Sequence, residues 1–181
     1  MKRKVILAFI TLTLTAAIFA GCSSSNKQAA SQTPAKTVGT SVDGNEVNIE
    51  KAAISLVKAK EAGKYNLVST EELKSWVDSK KDMVIIDTMP AANFKNGHIP
   101  GAVNAELPKT GMKDMTAEQK AAFVKLLPAD KSKTIVVYCG FTSCARSDVG
   151  AQIAVELGYT NVYRQPGGIV AWQDSKYDVE K

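Results

Sequence analysis

Residues 134–147 read Thr134-Ile135-Val136-Val137-Tyr138-Cys139-Gly140-Phe141-Thr142-Ser143-Cys144-Ala145-Arg146-Ser147, and the fold can be inferred from how this stretch changes character. The first five residues are apolar and β-branched or aromatic without polar alternation, the pattern of a strand buried on both faces. The next residues are mostly small or polar, Phe141 apart. After them Val149, Ile153, Ala154 and Leu157 recur at helical spacing, with Gly158 placed to cap the helix. Strand, loop and helix in that order are the unit from which parallel sheets are built.

The same unit recurs on both sides. Met83-Val84-Ile85-Ile86 is a second continuous apolar run, ending at Asp87. Ser69 with Glu72 and Thr116 with Gln119 form capping-box patterns ahead of helical runs: Leu73, Trp76 and Val77 in one, and Ala121, Ala122, Phe123, Leu126 and Leu127 in the other. Pro128 stops the second. Tyr65–Val68 and Asn161-Val162-Tyr163 are further strand candidates, and Gly167-Gly168 opens a short helix through Trp172. From Val47 to Ala62 the apolar positions partly follow a helical period, which Gly63 ends. Trp76, Phe123 and Trp172 lie on apolar helix faces and are read as core. The fold class is therefore α/β, a mostly parallel central sheet with helices on both faces. Residues 47–181 form its domain, with a core over about 65–180.

The first residues have a different character. Lys2-Arg3-Lys4 precedes a charge-free apolar run from Val5 to Ala20, sixteen residues long. That is short for a helix spanning a bilayer, which needs about 20, but it suits the central region of a secretory signal. Phe19-Ala20-Gly21-Cys22 then resembles the lipobox of bacterial lipoproteins, with Phe19 where an aliphatic residue is usual. On that resemblance residues 1–21 are a signal peptide and Cys22 is the lipidated N-terminus. Residues 22–46, rich in Ser, Ala, Gln, Thr and Gly, are a flexible tether. An uncleaved signal anchor with an incidental cysteine is the alternative. Either way the domain is expected outside the cytoplasm, at a bacterial membrane.

Composition narrows the chemistry. The net charge of +5 owes three positives to Lys2, Arg3 and Lys4; with residues 1–21 removed, twenty basic residues face eighteen acidic ones, a net charge of +2. That surplus gives no ground for a nucleic-acid partner. Three cysteines are too few for a disulfide scaffold, and the single histidine, His98, excludes a multi-histidine metal site. No metal and no cofactor is implied, and nothing in the pattern specifies an oligomeric state.

Chemistry in parallel sheets gathers at the carboxyl ends of the strands, here Asp87 and Cys139. A thiol at the base of a strand–loop–helix turn faces loop N–H groups and a helix N-terminus, both of which favour the thiolate. Arg146 adds a fixed positive charge whose planar fork suits an oxyanion of sulfur, phosphorus or arsenic. Cys139 is thus a candidate nucleophile, with Gly140, Phe141, Thr142, Ser143, Cys144, Ala145 and Arg146 as the substrate-binding loop. A buried structural cysteine is the other possibility.

Four segments, taken together, make the chain resemble the rhodanese-like domain family. They are Ile85-Ile86-Asp87; Gly97-His98-Ile99-Pro100-Gly101-Ala102; Ile135 to Cys139 with Arg146-Ser147; and Gly158-Tyr159 through Val162-Tyr163 to Pro166-Gly167-Gly168-Ile169-Val170-Ala171-Trp172. The resemblance implies a sulfurtransferase fold. It also implies that Cys139 attacks a sulfane-sulfur donor, becomes a persulfide and passes the sulfur to a thiol or to cyanide. It further implies that His98 belongs to a structural turn, and Asp87 is given the role of fixing its strand end.

Eight residues run from Cys139 to Arg146 inclusive, a longer loop than the family's sulfurtransferases or its phosphatase and arsenate-reductase relatives carry. Between its ends it has no Lys or Arg, which weakens a specific case for thiosulfate. Cys144, five residues after Cys139, is open to three roles: a resolving thiol or redox partner, a spectator, or itself the nucleophile. Three functions stay in view. One is a tethered sulfurtransferase acting on a small sulfane-sulfur donor and a thiol acceptor. The second is a cysteine-dependent phosphatase-like or reductase-like enzyme. The third is a non-catalytic binding module of the cell envelope.

Overall fold

The computed structural model describes residues 45–181. Its five strands are β1 (Asn66–Leu67), β2 (Met83–Asp87), β3 (Ala102–Asn104), β4 (Thr134–Tyr138) and β5 (Val162–Gln165). They form one parallel sheet in the order β1-β5-β4-β2-β3. Six helices surround it: α1 (Glu46–Gly63), α2 (Thr70–Asp78), α3 (Ala91–Asn96), α4 (Ala117–Leu126), α5 (Arg146–Glu156) and α6 (Gly168–Asp174). The expected α/β architecture is the one found. The expected signal peptide, Cys22 and nearly all of the expected tether fall outside the described residues.

Strand alternation sorts the core into two layers. On one face Ile86, Ile135 and Val137 pack with Phe123 of α4 and with Val149, Ile153 and Ala154 of α5. On the other Ile85, Val136 and Tyr138 meet Leu73 of α2 and Ile169 and Trp172 of α6. Removing such side chains from water is worth about 1.5–3 kcal/mol each, so the apolar runs that mark β2 and β4 also anchor them at the centre of the sheet. Thr116 and Gln119 close a reciprocal cap at 3.2 and 3.1 Å, and Ser69 Oγ accepts from the Glu72 N–H at 3.0 Å.

Lys64 supplies the left-handed turn after α1, at φ 55°, and the helix itself ends, as expected, at Gly63. Glycine is needed there for room, because a Cβ would fall 2.5 Å from the Tyr65 ring. Two differences from the sequence expectations have physical causes. Strand β5 runs two residues past Tyr163, carrying Arg164 and Gln165 into the interior. Helix α3 and strand β3 carry no sequence signal of their own, being six and three residues long, too short for either period to register.

Candidate active site

Parallel pairing sets the ends of β2 and β4 side by side, with Asp87 opposite Tyr138. The Tyr138 carbonyl accepts from both the backbone N–H and the hydroxyl of Thr88, at 3.0 and 2.8 Å. The chain therefore leaves the sheet at a fixed point, and the next residue is Cys139. The first turn of α6 holds the start of the loop: Ile169 N donates to the Cys139 carbonyl at 2.9 Å and Val170 N to that of Gly140 at 3.0 Å. Gly168, at φ 63°, permits this approach, since a Cβ on it would lie 2.3 Å from the Cys139 carbonyl oxygen.

The loop then rises and returns. Cys144 N donates to the Phe141 carbonyl at 2.9 Å, and Ala145 leads into α5 at Arg146. Beneath the loop lies Arg164, only 3% exposed. Its Nε donates to Ser147 Oγ at 2.9 Å, its Nη2 to the carbonyls of Cys144 at 2.9 Å and Thr142 at 3.4 Å, and its Nη1 to the Tyr65 hydroxyl at 3.3 Å. Tyr65 in turn donates to Asp148 Oδ1 at 2.7 Å. Burial, first, and the Asp148 bond push the Tyr65 phenol up to about 12, so it remains a donor. A buried guanidinium with all three nitrogens engaged is a rigid floor.

The two loop cysteines, both free thiols, sit in contrasting places. Cys139 is wholly buried, its Sγ 3.2 Å from Ser147 Oγ and 3.4 Å from the Cys144 carbonyl oxygen. Cys144 is half-buried on the wall of an open cavity of about 360 Å³. Met89, Pro90 and Phe141 make this cavity's apolar side, and Lys109 and Arg146 bring positive charge to it. A hydrogen bond from the Cys139 thiol, foremost, lowers the Cys144 pKa from the ordinary 9.0 to about 5; the backbone N–H groups of Arg146 and Gly140 and the charge of Arg146 add to this, against burial. The same bond and its burial push the Cys139 thiol well above the ordinary range.

The sequence expectation assigned the lowered pKa to Cys139; the structure buries Cys139 completely and sets Cys144 on the cavity wall. The N–H groups of Arg146 and Gly140 favour the Cys144 thiolate, while the hydroxyl and N–H of Ser147 favour that of Cys139. Arg146 also differs from expectation. Its Nη1 donates to the Leu107 carbonyl, and the side chain sits 3.9 Å from Glu106 Oε1, so the fork is engaged with the β3–α4 connection while the side chain borders the cavity. Of the remaining loop residues, Ser143 lines the cavity and Phe141 stands exposed at its rim.

Asp87 and His98 lie to the side of this arrangement. Asp87 Oδ1 accepts from Met89 N at 2.8 Å, while Oδ2 is buried with no hydrogen-bond partner among the described residues, and burial raises the carboxyl. The Asp87 backbone carbonyl accepts from Ala105 N and Asn104 Nδ2, both at 3.0 Å. His98 stacks on Phe94 with ring centroids 3.7 Å apart, and its backbone exchanges two hydrogen bonds with Glu180. It joins the last residues of the chain to the sheet and does not enter the cavity.

Sequence reasoning missed Arg164, Ser147 and Lys109. Arg164 had a signal: a basic residue two positions after the buried Val162 lies on the same inward face of a central strand, where an unpaired charge is costly. Lys109 had none, since it reaches the cavity from a connection far from the loop in sequence.

The rhodanese-like domain model matches residues 69–175. The adenylyltransferase and sulfurtransferase UBA4 of Candida albicans is 33% identical over 109 residues, 59% of this chain and 23% of that protein. The thiosulfate sulfurtransferase GlpE of Shewanella oneidensis is 30% identical over 95 residues, 52% of this chain and 80% of that one. The chain thus spans about a quarter of the Candida protein's length. Among solved structures, the polysulfide-sulfur transferase of Wolinella succinogenes superposes with a TM-score of 0.53 at 16% identity, covering 75% of this chain and 91% of its own; that likeness concerns the fold.

Proposed function

The chain belongs to the family of rhodanese-like domains, and on that basis we propose that it is a sulfurtransferase that carries a sulfane sulfur as a persulfide on Cys144 and delivers it to a thiol acceptor. The observation that carries this reading is geometric: Cys144 lines the cavity beside Arg146, whereas Cys139 is wholly buried. The Cys139 thiol and the backbone N–H groups of Arg146 and Gly140 lower the Cys144 pKa. That lowering favours the thiolate, the nucleophilic form. Attack on the outer sulfur of a donor R–S⁻ forms the Cys144–sulfur bond, breaks the R–S bond and expels R with the electron pair. The negative charge then sits on the terminal persulfide sulfur, where the N–H groups of Gly140 and Arg146 and the Arg146 charge favour it. Transfer to a thiolate acceptor is the same displacement in reverse sense.

The cavity's apolar side and its two cations suit a small anionic donor with an apolar part, such as a thiosulfonate, and a polysulfide by charge. Phosphate-ester hydrolysis is the weaker reading, because the Arg146 fork is bonded to the Leu107 carbonyl. A binding module without chemistry has no use for a thiolate stabilised at the mouth of a cavity. We also propose that Cys22 is lipidated and the domain works outside the cytoplasm, on the strength of Lys2-Arg3-Lys4, the apolar run and the small residues before Cys22.

The test uses benzenethiosulfonate as donor, alkylation as quench and peptide mapping by mass spectrometry. A sulfur atom added to Cys144 in the Cys139→Ser chain, and absent from the Cys144→Ser chain, supports the proposal. Sulfur on Cys139 alone, or on neither, overturns it.

A further inference from the structure

Cys139 does not carry the transferred sulfur, yet its own sulfur lies 3.4 Å from the backbone carbonyl of the residue that does. We propose that Cys139 resolves the Cys144 persulfide, so that the site also works as a sulfane-sulfur reductase, releasing hydrosulfide and closing a Cys139–Cys144 disulfide that an external dithiol reopens. The inference rests on the persulfide assignment to Cys144.

The geometry leaves Cys139 little else to do. It is fully buried, so no external donor or acceptor reaches it, and its Sγ is 3.4 Å from the Cys144 carbonyl oxygen. A disulfide needs the sulfurs at about 2.05 Å, an approach open to a four-residue loop that includes Gly140 and leaves Phe141 exposed. The attack has an electrostatic support as well. Ser147 Oγ, which accepts from Arg164 Nε at 2.9 Å, has its own proton free to donate to Cys139 Sγ at 3.2 Å. Negative charge developing on Cys139 therefore meets a hydroxyl backed by a buried guanidinium.

The step balances without an outside oxidant. Cys139 Sγ bonds to Cys144 Sγ, the bond between Cys144 Sγ and the terminal sulfur breaks, and its electron pair leaves with hydrosulfide, which takes up the Cys139 proton. Cys139 is oxidised and the terminal sulfur reduced. A dithiol then reduces the disulfide and is itself oxidised. The free loop also imposes an order on these events. While Cys144 is a thiolate, burial and the neighbouring negative charge hold the Cys139 thiol protonated and inert. Sulfur transfer moves the charge outward to the terminal atom, which lessens that repulsion and releases Cys139 to react.

The deciding experiment treats the full chain, reduced and under anaerobic conditions, with benzenethiosulfonate, whose leaving group is a sulfinate and not sulfide. Released hydrosulfide is measured, and peptide mapping locates the linkages, keeping Cys22 apart. The expected result for the wild type is hydrosulfide release with a Cys139–Cys144 linkage that a dithiol opens. In Cys139→Ser and Cys139→Ala the release falls by about tenfold or more, and the added sulfur persists on Cys144. A wild-type chain that keeps its persulfide with Cys139 free overturns the resolving role while leaving the transferase intact. Absence of sulfur on Cys144 in both variants, with the wild-type linkage also absent, overturns both. The wild-type linkage is read without reference to the variants, so a variant that folds poorly does not decide the outcome.

Discussion

Arg164 Nη2 donates to the carbonyl oxygen of Cys144 at 2.9 Å, from a strand on the far side of the loop's base. One buried side chain thereby fixes the height of the cysteine above the sheet. Each hydrogen bond from a charged group is worth about 1.5–3 kcal/mol, and its loss leaves buried acceptors unpaired. Arg164→Ala is expected to lower stability by about 3 kcal/mol in urea unfolding. Arg164→Lys keeps the charge but cannot serve Ser147, Tyr65 and Cys144 together, so sulfur transfer should drop more than stability does.

The two thiols are expected to titrate apart. Iodoacetamide should label Cys144 with a pH midpoint near about 5 and leave Cys139 unlabelled in the folded chain. Cys139→Ala removes the principal donor, so the Cys144 midpoint should move up toward 9.0. Because the folded-state pKa is depressed, the thiolate's contribution to stability is complete above about 9 and fades as pH falls toward about 5. The Cys144→Ser chain should lack that part of the pH dependence of unfolding. An unchanged labelling midpoint in Cys139→Ala would remove the Cys139 hydrogen bond from the explanation.

Gly168 is expected to tolerate no side chain. Its Cβ would strike backbone atoms of Cys139 and Gly140 at 2.3 and 2.4 Å, and its φ of 63° is strained for any L residue. Gly168→Ala should cost about 2 kcal/mol or more and displace the start of the loop. Sulfur transfer at a temperature where the variant is folded should still be impaired, whereas Gly101→Ala, with open space around it but φ 76°, should lose stability alone.

Lipidation at Cys22 is tested by feeding an alkyne-tagged fatty acid to bacteria expressing the full chain. Label on the wild type and none on Cys22→Ser, with the protein moving from the membrane to the soluble fraction, is expected. Equal labelling of both chains would show that Cys22 is not the anchor.

Much of this architecture was legible because it depends on local pattern. The runs Met83–Ile86 and Thr134–Tyr138 are apolar on both faces, and only the centre of a covered sheet accommodates that. Thr116 and Gln119 announced a helix start through their own hydrogen-bonding chemistry. The location of the loop was equally plain, since chemistry at the end of β4 is expected from strand–loop–helix order. What the pattern did not contain was the vertical order of Cys139 and Cys144, because a pKa answers to every nearby dipole and not to position along the chain.

The parallel α/β fold, the loop and the pair of cysteines within it are thus consequences of periodicity and short-range residue chemistry, and they can be read along the chain. Which of the two cysteines lines the cavity was decided by tertiary contacts. Arg164 from β5, Thr88 after β2 and the first turn of α6 converge on the loop from distant parts of the chain. Burial and electrostatic support arise from such three-dimensional neighbours, and no reading along one dimension contains them.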